Sequence, residues 1–264
     1  MVQEDITSIL QQQPLGLIFD IDGTLSPIAP TPDEAQLYPG VADLLHKAQK
    51  YAHVGIITGR AVRDGARLVN VDGLTYIGTH GLEWCDGHPS QHNVELIPQA
   101  LPYVEQGKAV LDAAEKELAD LPGIIVERKS VGGTIHYRLT PDPEQARIRI
   151  LATLAAQHTP MRIGEGKRAI EVLAPLTVNK GLALRRFVAQ RQLRGIIFAG
   201  DDRTDLDAVL EVRKLRQEGF AAHAIVVQHL DTLPALLEHA DSLVQEVAGM
   251  AQQLKEMVSI LNRS

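Results

Sequence analysis

The sequence is short of cysteine, of positive charge and of long apolar runs, and each shortage closes off a class of protein. Cys85 is the only cysteine in 264 residues. That excludes an internal disulfide and any zinc site built from several thiolates, and it fits a reducing cytoplasm. Lys and Arg number 26 against 33 Asp and Glu, a net charge of −7, so general attraction to nucleic acid or to an acidic membrane is not expected. A local basic pocket remains open. No run of 18 apolar residues exists to span a bilayer. The opening stretch MVQEDITSILQQQ carries acids early and has no long apolar centre, so it does not read as a signal peptide.

What is present is an ordinary globular balance, 45% apolar and 22% charged, in a chain long enough for one large domain or two small ones. Residues 15–19, Leu-Gly-Leu-Ile-Phe, form a short continuous apolar run that stops at Asp20, the mark of a strand buried on both faces of a parallel sheet. A helix is expected over 40–52, a strand over 53–57 ending at Thr58-Gly59-Arg60, a helix over 61–69 and a strand over 74–78. After residue 175 the same rhythm resumes, with a helix over 180–191, a strand over 195–199 ending at Gly200-Asp201-Asp202, a helix over 204–216, a strand over 222–227 and helices to the end. Between these halves the order is helix 102–120, strands 124–130 and 134–139, helix 143–157, strands 161–164 and 168–173. The predicted fold class is therefore α/β: a Rossmann-like parallel-sheet core, residues 1–100 and 175–264, with an inserted α+β module at 101–174.

Three apolar strands end in polar clusters, at Asp20 to Thr24, Thr58 to Arg60 and Gly200 to Asp205. Parallel strands bring such clusters to one edge, outside their carboxyl ends, where ligands bind. Up to five carboxylates, Asp20, Asp22, Asp201, Asp202 and Asp205, would then converge. Each pair at ~4 Å repels by roughly 4 kcal/mol at an effective dielectric near 20, so the set calls for a cation. Hard oxygen ligands suit Mg²⁺ held together with a substrate phosphate. Singly, each Asp is equally well read as a helix cap or turn former; it is the set that points to chemistry. Lys180 opens a predicted helix, where a cation is unfavourable, so an anion beside it is expected.

Asp20-Ile21-Asp22-Gly23-Thr24-Leu25 after a buried strand, Thr58 at a second strand end, Lys180, and Gly200-Asp201-Asp202-Arg203-Thr204-Asp205 occur in the order that resembles the haloacid dehalogenase superfamily. The resemblance implies Asp20 as phosphoryl-accepting nucleophile, Asp22 as acid/base, and Thr58 and Lys180 as phosphate ligands. It implies Mg²⁺ on Asp20, the Asp22 carbonyl and Asp201, with Asp205 in support. An insertion between the second and third motifs is the type II cap arrangement. Ile56 to Arg60, Gly78 to Glu83, Glu127-Arg128-Lys129, His136-Tyr137-Arg138, and Glu171 ahead of Asn179-Lys180-Gly181 are similar to the trehalose-phosphatase family within that superfamily.

That similarity implies hydrolysis of a disaccharide phosphate, trehalose 6-phosphate, through an aspartyl phosphate, with substrate contacts from Gly59, Arg60, Glu127, Lys129, His136, Arg138, Glu171 and Asn179. His136 and Arg138, and likewise Glu127 and Lys129, stand two apart on predicted strands and so are expected on one face. Trp84 is expected either to stack on sugar or to pack within the protein; His80 and Glu83 are equally loop caps or site residues. One departure is Leu173, where the family usually has a basic residue; Arg168, Lys167 or another basic side chain is the candidate replacement. Phosphatases of other sugar phosphates, a phosphomutase and a non-catalytic sugar-phosphate sensor remain alternatives. The partner expected is a small sugar phosphate, not nucleic acid or membrane, in a cytoplasmic protein whose oligomeric state is open, a monomer included.

Overall fold

A computed structural model of the chain describes residues 6–166 and 168–263. The opening residues 1–5 and Lys167, one of the candidate replacement cations, lie outside the described residues. In chain order the elements are α1 (Ile6–Leu10), β1 (Leu15–Phe19), α2 (Val41–Ala48), β2 (His53–Ile57), α3 (Val62–Val69), β3 (Thr75–Gly78), β4 (Glu83–Asp86), β5 (Glu95–Leu96), α4 (Val104–Glu117), β6 (Ile125–Arg128), β7 (Gly133–His136), α5 (Pro143–Ala155), β8 (Arg162–Gly166), β9 (Ala169–Leu173), α6 (Lys180–Gln190), β10 (Gly195–Gly200), α7 (Leu206–Gln217), β11 (Ala221–Gln228), α8 (Pro234–His239), β12 (Ser242–Gln245) and α9 (Glu246–Leu261). The chain divides into two compact units, Met1–Glu95 with Val178–Ser264, and Leu96–Thr177. The sequence reading put the insertion at 101–174.

The first unit is built on a sheet of order β12-β11-β10-β1-β2-β3-β4-β5. From β12 through β3 all pairings are parallel, and β4 turns back antiparallel to β3. β1 is buried at every position because helices cover both faces. Leu15, Leu17 and Phe19 join a core with Val41 and Leu45 of α2, Ala66 of α3 and Met250, Leu254 and Met257 of α9. The alternate residues look the other way, toward α6 and α7; Gly55 leaves room there for the Phe187 ring, which a Cβ would meet at 3.2 Å. The apolar spacing of α9, Val247, Met250, Ala251, Leu254, Met257, Val258 and Leu261, is one helical stripe aimed at the sheet.

The second unit carries a four-stranded antiparallel sheet of order β6-β7-β9-β8, with α4 and α5 against it. Three local expectations are corrected here. The helix expected over 102–120 is Val104–Glu117, because Pro98–Tyr103 forms a 3₁₀ turn with Pro102 inside it. The strand expected over 134–139 ends at His136: Tyr137 accepts hydrogen bonds from the backbone and hydroxyl of Thr140, which turns the chain toward the Asp142 cap of α5. Arg138 is therefore in a turn and does not share a strand face with His136. Similarly, β6 ends at Arg128, and Lys129 belongs to the hairpin connection, its N–H bonded to the Gly132 carbonyl.

Candidate active site

Asp20, Thr58 and Asp201 each follow the last residue or two of a parallel strand, β1, β2 and β10, and these strands are neighbours. The Asp20 N–H bonds to the Ala199 carbonyl at 2.9 Å, locking the two motif ends side by side. Asp20, Asp201 and Asp205 are all buried, and an oxygen from each lies within 4.8 Å of the others. Lys180, 2% exposed, sets its Nζ 2.9 Å from Asp20 Oδ1 and 2.9 Å from Asp205 Oδ1, which is the anion its position at a helix start requires.

Asp205 is committed on both oxygens. Oδ1 takes Lys180, and Oδ2 accepts the backbone N–H groups of Asp201 and Asp202 at 3.1 Å each. Gly200 permits this approach, since a Cβ there would collide with the Asp205 carboxylate. Asp205 thus holds the lysine and the turn, while Asp20 and Asp201 face one another across the cluster. Thr24 Oγ1 donates to Asp201 Oδ1 at 2.9 Å. Gly23, at φ +83°, brings its backbone against Asp201 where a Cβ would clash with the carboxylate; here a glycine is required.

The electrostatics follow from burial. Desolvation raises the pKa of Asp20 well above the usual carboxylate range, with Lys180 opposing and Asp205 and Asp201 adding to the rise. Asp201 is pushed up to about 8, by burial first and then by the Asp205 charge. Asp205 is likewise raised by burial against the pull of Lys180. Burial alone would lower the Lys180 pKa, but Asp20 and Asp205 outweigh it and hold the ammonium charged. Three carboxylates share one ammonium, and buried like charges at this spacing call for more positive charge. Hard oxygen donors of this kind fit a divalent metal ion.

The five acidic residues do not all converge. Asp22 points away from the cluster into a bidentate pair with Arg60, Nε to Oδ2 at 2.7 Å and Nη2 to Oδ1 at 2.6 Å. Asp202 caps the short turn Arg203–Asp205 through the Thr204 N–H. Among the expected substrate contacts of this unit, Arg60 is occupied by Asp22. Thr58, buried, accepts the Arg60 N–H on its hydroxyl at 3.2 Å. Gly59 lies under the His80 ring. Asn179 spends its side-chain oxygen capping α6 through the Leu182 N–H at 2.8 Å. Glu83 is a buried cap, accepting the Val62 N–H and the Thr79 hydroxyl. Trp84 is buried too, with Nε1–H on the Gly81 carbonyl and the Arg186 guanidinium 4.4 Å over its ring; it packs within the protein.

In the second unit the register aligns Glu127 with Thr134 and Thr134 with Glu171, so these share one face, as does His136 two residues on. His136 Nε2 and Glu127 Oε2 are 2.8 Å apart. Ile135, Ile170 and Val172, fully buried, occupy the opposite face. The register also sets Arg162 opposite Leu173, on the face of Glu171. Arg162 was missed in the sequence because the hairpin turn was placed at Glu165-Gly166-Lys167, whereas Gly166 still pairs with Ala169. A second overlooked residue is His229, one step past β11 at the same sheet edge. Its Nε2 lies 2.8 Å from the Gly23 carbonyl and 3.8 Å from Asp201 Oδ2.

An open parallel sheet carrying a carboxylate and lysine cluster on its carboxyl edge, with an α+β unit inserted, defines the haloacid dehalogenase-like class. A haloacid dehalogenase-like hydrolase from Bacteroides thetaiotaomicron shares the fold with a TM-score of 0.62 over 93% of this chain and 100% of that one, at 11% identity. The chain belongs to the trehalose-phosphatase family, whose model matches residues 18–232. It is 30% identical over 237 residues to the trehalose-phosphate phosphatase of Mycobacterium leprae, covering 86% of this chain and 53% of that protein. The chain thus spans about half the length of the curated relatives it matches. A solved trehalose-6-phosphate phosphatase related protein superposes with a TM-score of 0.75 at 25% identity, over 94% of this chain and 99% of that one. The C-terminal domain of the Candida albicans trehalose-6-phosphate phosphatase gives 0.72 at 20% identity, over 96% and 95%.

Proposed function

We propose that the protein is a cytoplasmic Mg²⁺-dependent phosphatase that releases phosphate from trehalose 6-phosphate. The observation that carries the reading is the buried Asp20–Lys180–Asp205 chain of ion pairs with Asp201 beside it, in a chain matched by the trehalose-phosphatase family over 18–232. The names of the relatives support the sugar, and the acidic oxygens support the metal. Among the described residues no helix is long and apolar enough to cross a membrane.

In this reading Asp20 attacks phosphorus and forms an aspartyl phosphate, splitting one displacement into two. Asp20, the Asp22 carbonyl and Asp201 would hold the metal, and Asp205 keeps Lys180 and the Asp201 turn in place. A bound Mg²⁺ supplies positive charge where the phosphoryl oxygens gather negative charge. Lys180 and the Thr58 hydroxyl take two of those oxygens. Asp22 donates a proton to the departing sugar oxygen and then takes one from the attacking water. Both carboxyl oxygens of Asp22 accept from Arg60 in the structure, so Asp22 must leave that pair to act as acid, and Arg60 serves as its resting partner in place of a substrate contact. Gly59 lets the strand end approach the phosphate.

Recognition of the sugar is assigned to the unit Leu96–Thr177, through Glu127, His136 and Glu171 on one sheet face, with Arg162 supplying the cation that Leu173 does not. Lys129 and Arg138, off the strands, are left as flanking contacts, and Asn179 as a helix cap. Phosphate release across trehalose 6-phosphate, sucrose 6-phosphate, glucose 6-phosphate and an aryl phosphate, with Mg²⁺ and in chelator, tests the whole. Metal-dependent release with clear preference for trehalose 6-phosphate is expected. Equal rates on all four would remove the assigned sugar, and full activity in chelator would remove the metal.

A further inference from the structure

The loop that carries the proposed nucleophile contains a glycine at φ +83°, and a glycine has the least intrinsic restraint on its backbone. Both local bonds and a distant segment hold this one in place. Within the loop the Gly23 N–H bonds to the Ser26 carbonyl at 2.7 Å and the Thr24 N–H to the Ile21 carbonyl at 3.1 Å. The Gly23 carbonyl faces His229 Nε2 at 2.8 Å, across 206 positions of sequence. His229 is only 13% exposed, and its ring is braced on its second nitrogen: Nδ1 lies 2.7 Å from Glu246 Oε2. Its backbone is braced as well, its N–H donating to Thr232 Oγ1 at 2.7 Å. Glu246 itself has a left-handed backbone, φ +55°, a conformation that costs energy in a residue other than glycine and persists only where the surroundings impose it.

We infer that His229, steadied by Glu246, is a positioning residue for the loop Asp20 to Thr24: by holding the Gly23 carbonyl it keeps the Gly23–Thr24 peptide, and with it the Thr24 hydroxyl, against Asp201. The reasoning is geometric. The peptide planes on either side of Gly23 turn independently about its φ and ψ. The plane before it, with the Asp22 carbonyl, is held by the Gly23 N–H on the Ser26 carbonyl. The plane after it carries the carbonyl that His229 meets and leads to the Thr24 hydroxyl, which donates to Asp201 Oδ1 at 2.9 Å. Without the imidazole, this second plane loses its long-range anchor beside Asp201. The inference rests on the metal-dependent reading above, since it assigns His229 to the geometry of Asp201 and the loop beside it.

The test uses the full chain and four variants, His229→Ala, His229→Gln, His229→Asn and Glu246→Gln. Mg²⁺ affinity is read by titration calorimetry, and kcat and KM are read with an aryl phosphate. His229→Ala is expected to weaken Mg²⁺ binding roughly 5- to 10-fold, the scale of one lost hydrogen bond, and to lower kcat more than KM. His229→Gln, whose amide N–H can reach the Gly23 carbonyl, should restore most of both; His229→Asn, one carbon shorter, should not. Glu246→Gln should fall between the parent and His229→Ala, because the ring stays beside the Gly23 carbonyl but loses the carboxylate at Nδ1 that orients it. A purely space-filling role would move the melting temperature without this Gln/Asn split. Should His229→Ala fail to fold, the Gln and Asn variants carry the comparison. Parental Mg²⁺ affinity and kcat in His229→Asn, beside an active parent, overturn the inference alone. A parent chain that neither binds Mg²⁺ nor releases phosphate overturns the reading of the site and the inference together.

Discussion

Replacing Lys180 by methionine isolates the charge that holds the cluster together. The two side chains are similar in length and both unbranched, so little space is lost. What disappears is an ammonium 2.9 Å from each of two carboxylates, in a site where Lys180, Asp20 and Asp205 are at most 5% exposed. Three acidic groups then remain with oxygens within 4.8 Å. At that separation each charged pair repels by about 3.5 kcal/mol with an effective dielectric near 20. The folded chain escapes part of this by taking up protons, so the expected cost is that of breaking a buried pair, about 3–5 kcal/mol.

The pH dependence of that cost has a definite sign. Asp20, Asp201 and Asp205 have folded pKa values already raised above their unfolded ones, that of Asp201 to about 8. Such groups contribute stability that is intact below the unfolded value near 4 and is lost as pH climbs through the folded value. Without Lys180 the folded values rise further, so the penalty grows between pH 5 and pH 8. Thermal unfolding followed by circular dichroism in excess chelator should show a melting temperature lower than the parent's by roughly 6–20 °C at pH 8, and by clearly less at pH 5. A loss under about 2 °C at pH 8, or one larger at pH 5, would refute the account of a charge-starved cluster.

Three further outcomes are expected. Asp20→Asn should keep the parental melting temperature within a few degrees while phosphate release falls by about three orders of magnitude or more, since an amide cannot form an acyl phosphate; turnover within tenfold of the parent would remove Asp20 as nucleophile. Asp22→Ala should slow the sugar phosphate far more than an activated aryl phosphate, because a phenolate leaves with little protonation; single-turnover rates that fall equally on both would argue against Asp22 as the acid. Glu171→Ala and Arg162→Ala should each lower kcat/KM for trehalose 6-phosphate by roughly 5- to 150-fold, the cost of about 1–3 kcal/mol for an unpaired polar group, and spare the aryl phosphate; parallel losses on both substrates would assign them to folding.

How far the sequence alone reached can be read residue by residue. The buried strands were legible because continuous apolar runs such as 15–19 and 195–199 fit a sheet covered on both faces, and the polar residues at their ends had to share one edge once the strands were parallel. Lys180 at a helix start announced its anions, because a cation there needs them. These are local or periodic properties, and they survive in one dimension. Tertiary structure decided which carboxylates meet: Asp205 turned inward to Lys180, Asp22 outward to Arg60, and Asp202 onto a turn, although all three stand in similar motifs. It set Arg162 opposite Leu173, because strand register depends on where a hairpin turns and a shift of the turn re-pairs every residue. It brought His229 to Gly23 across 206 residues, a contact that follows from the order of strands in the sheet, which no local pattern of residues encodes.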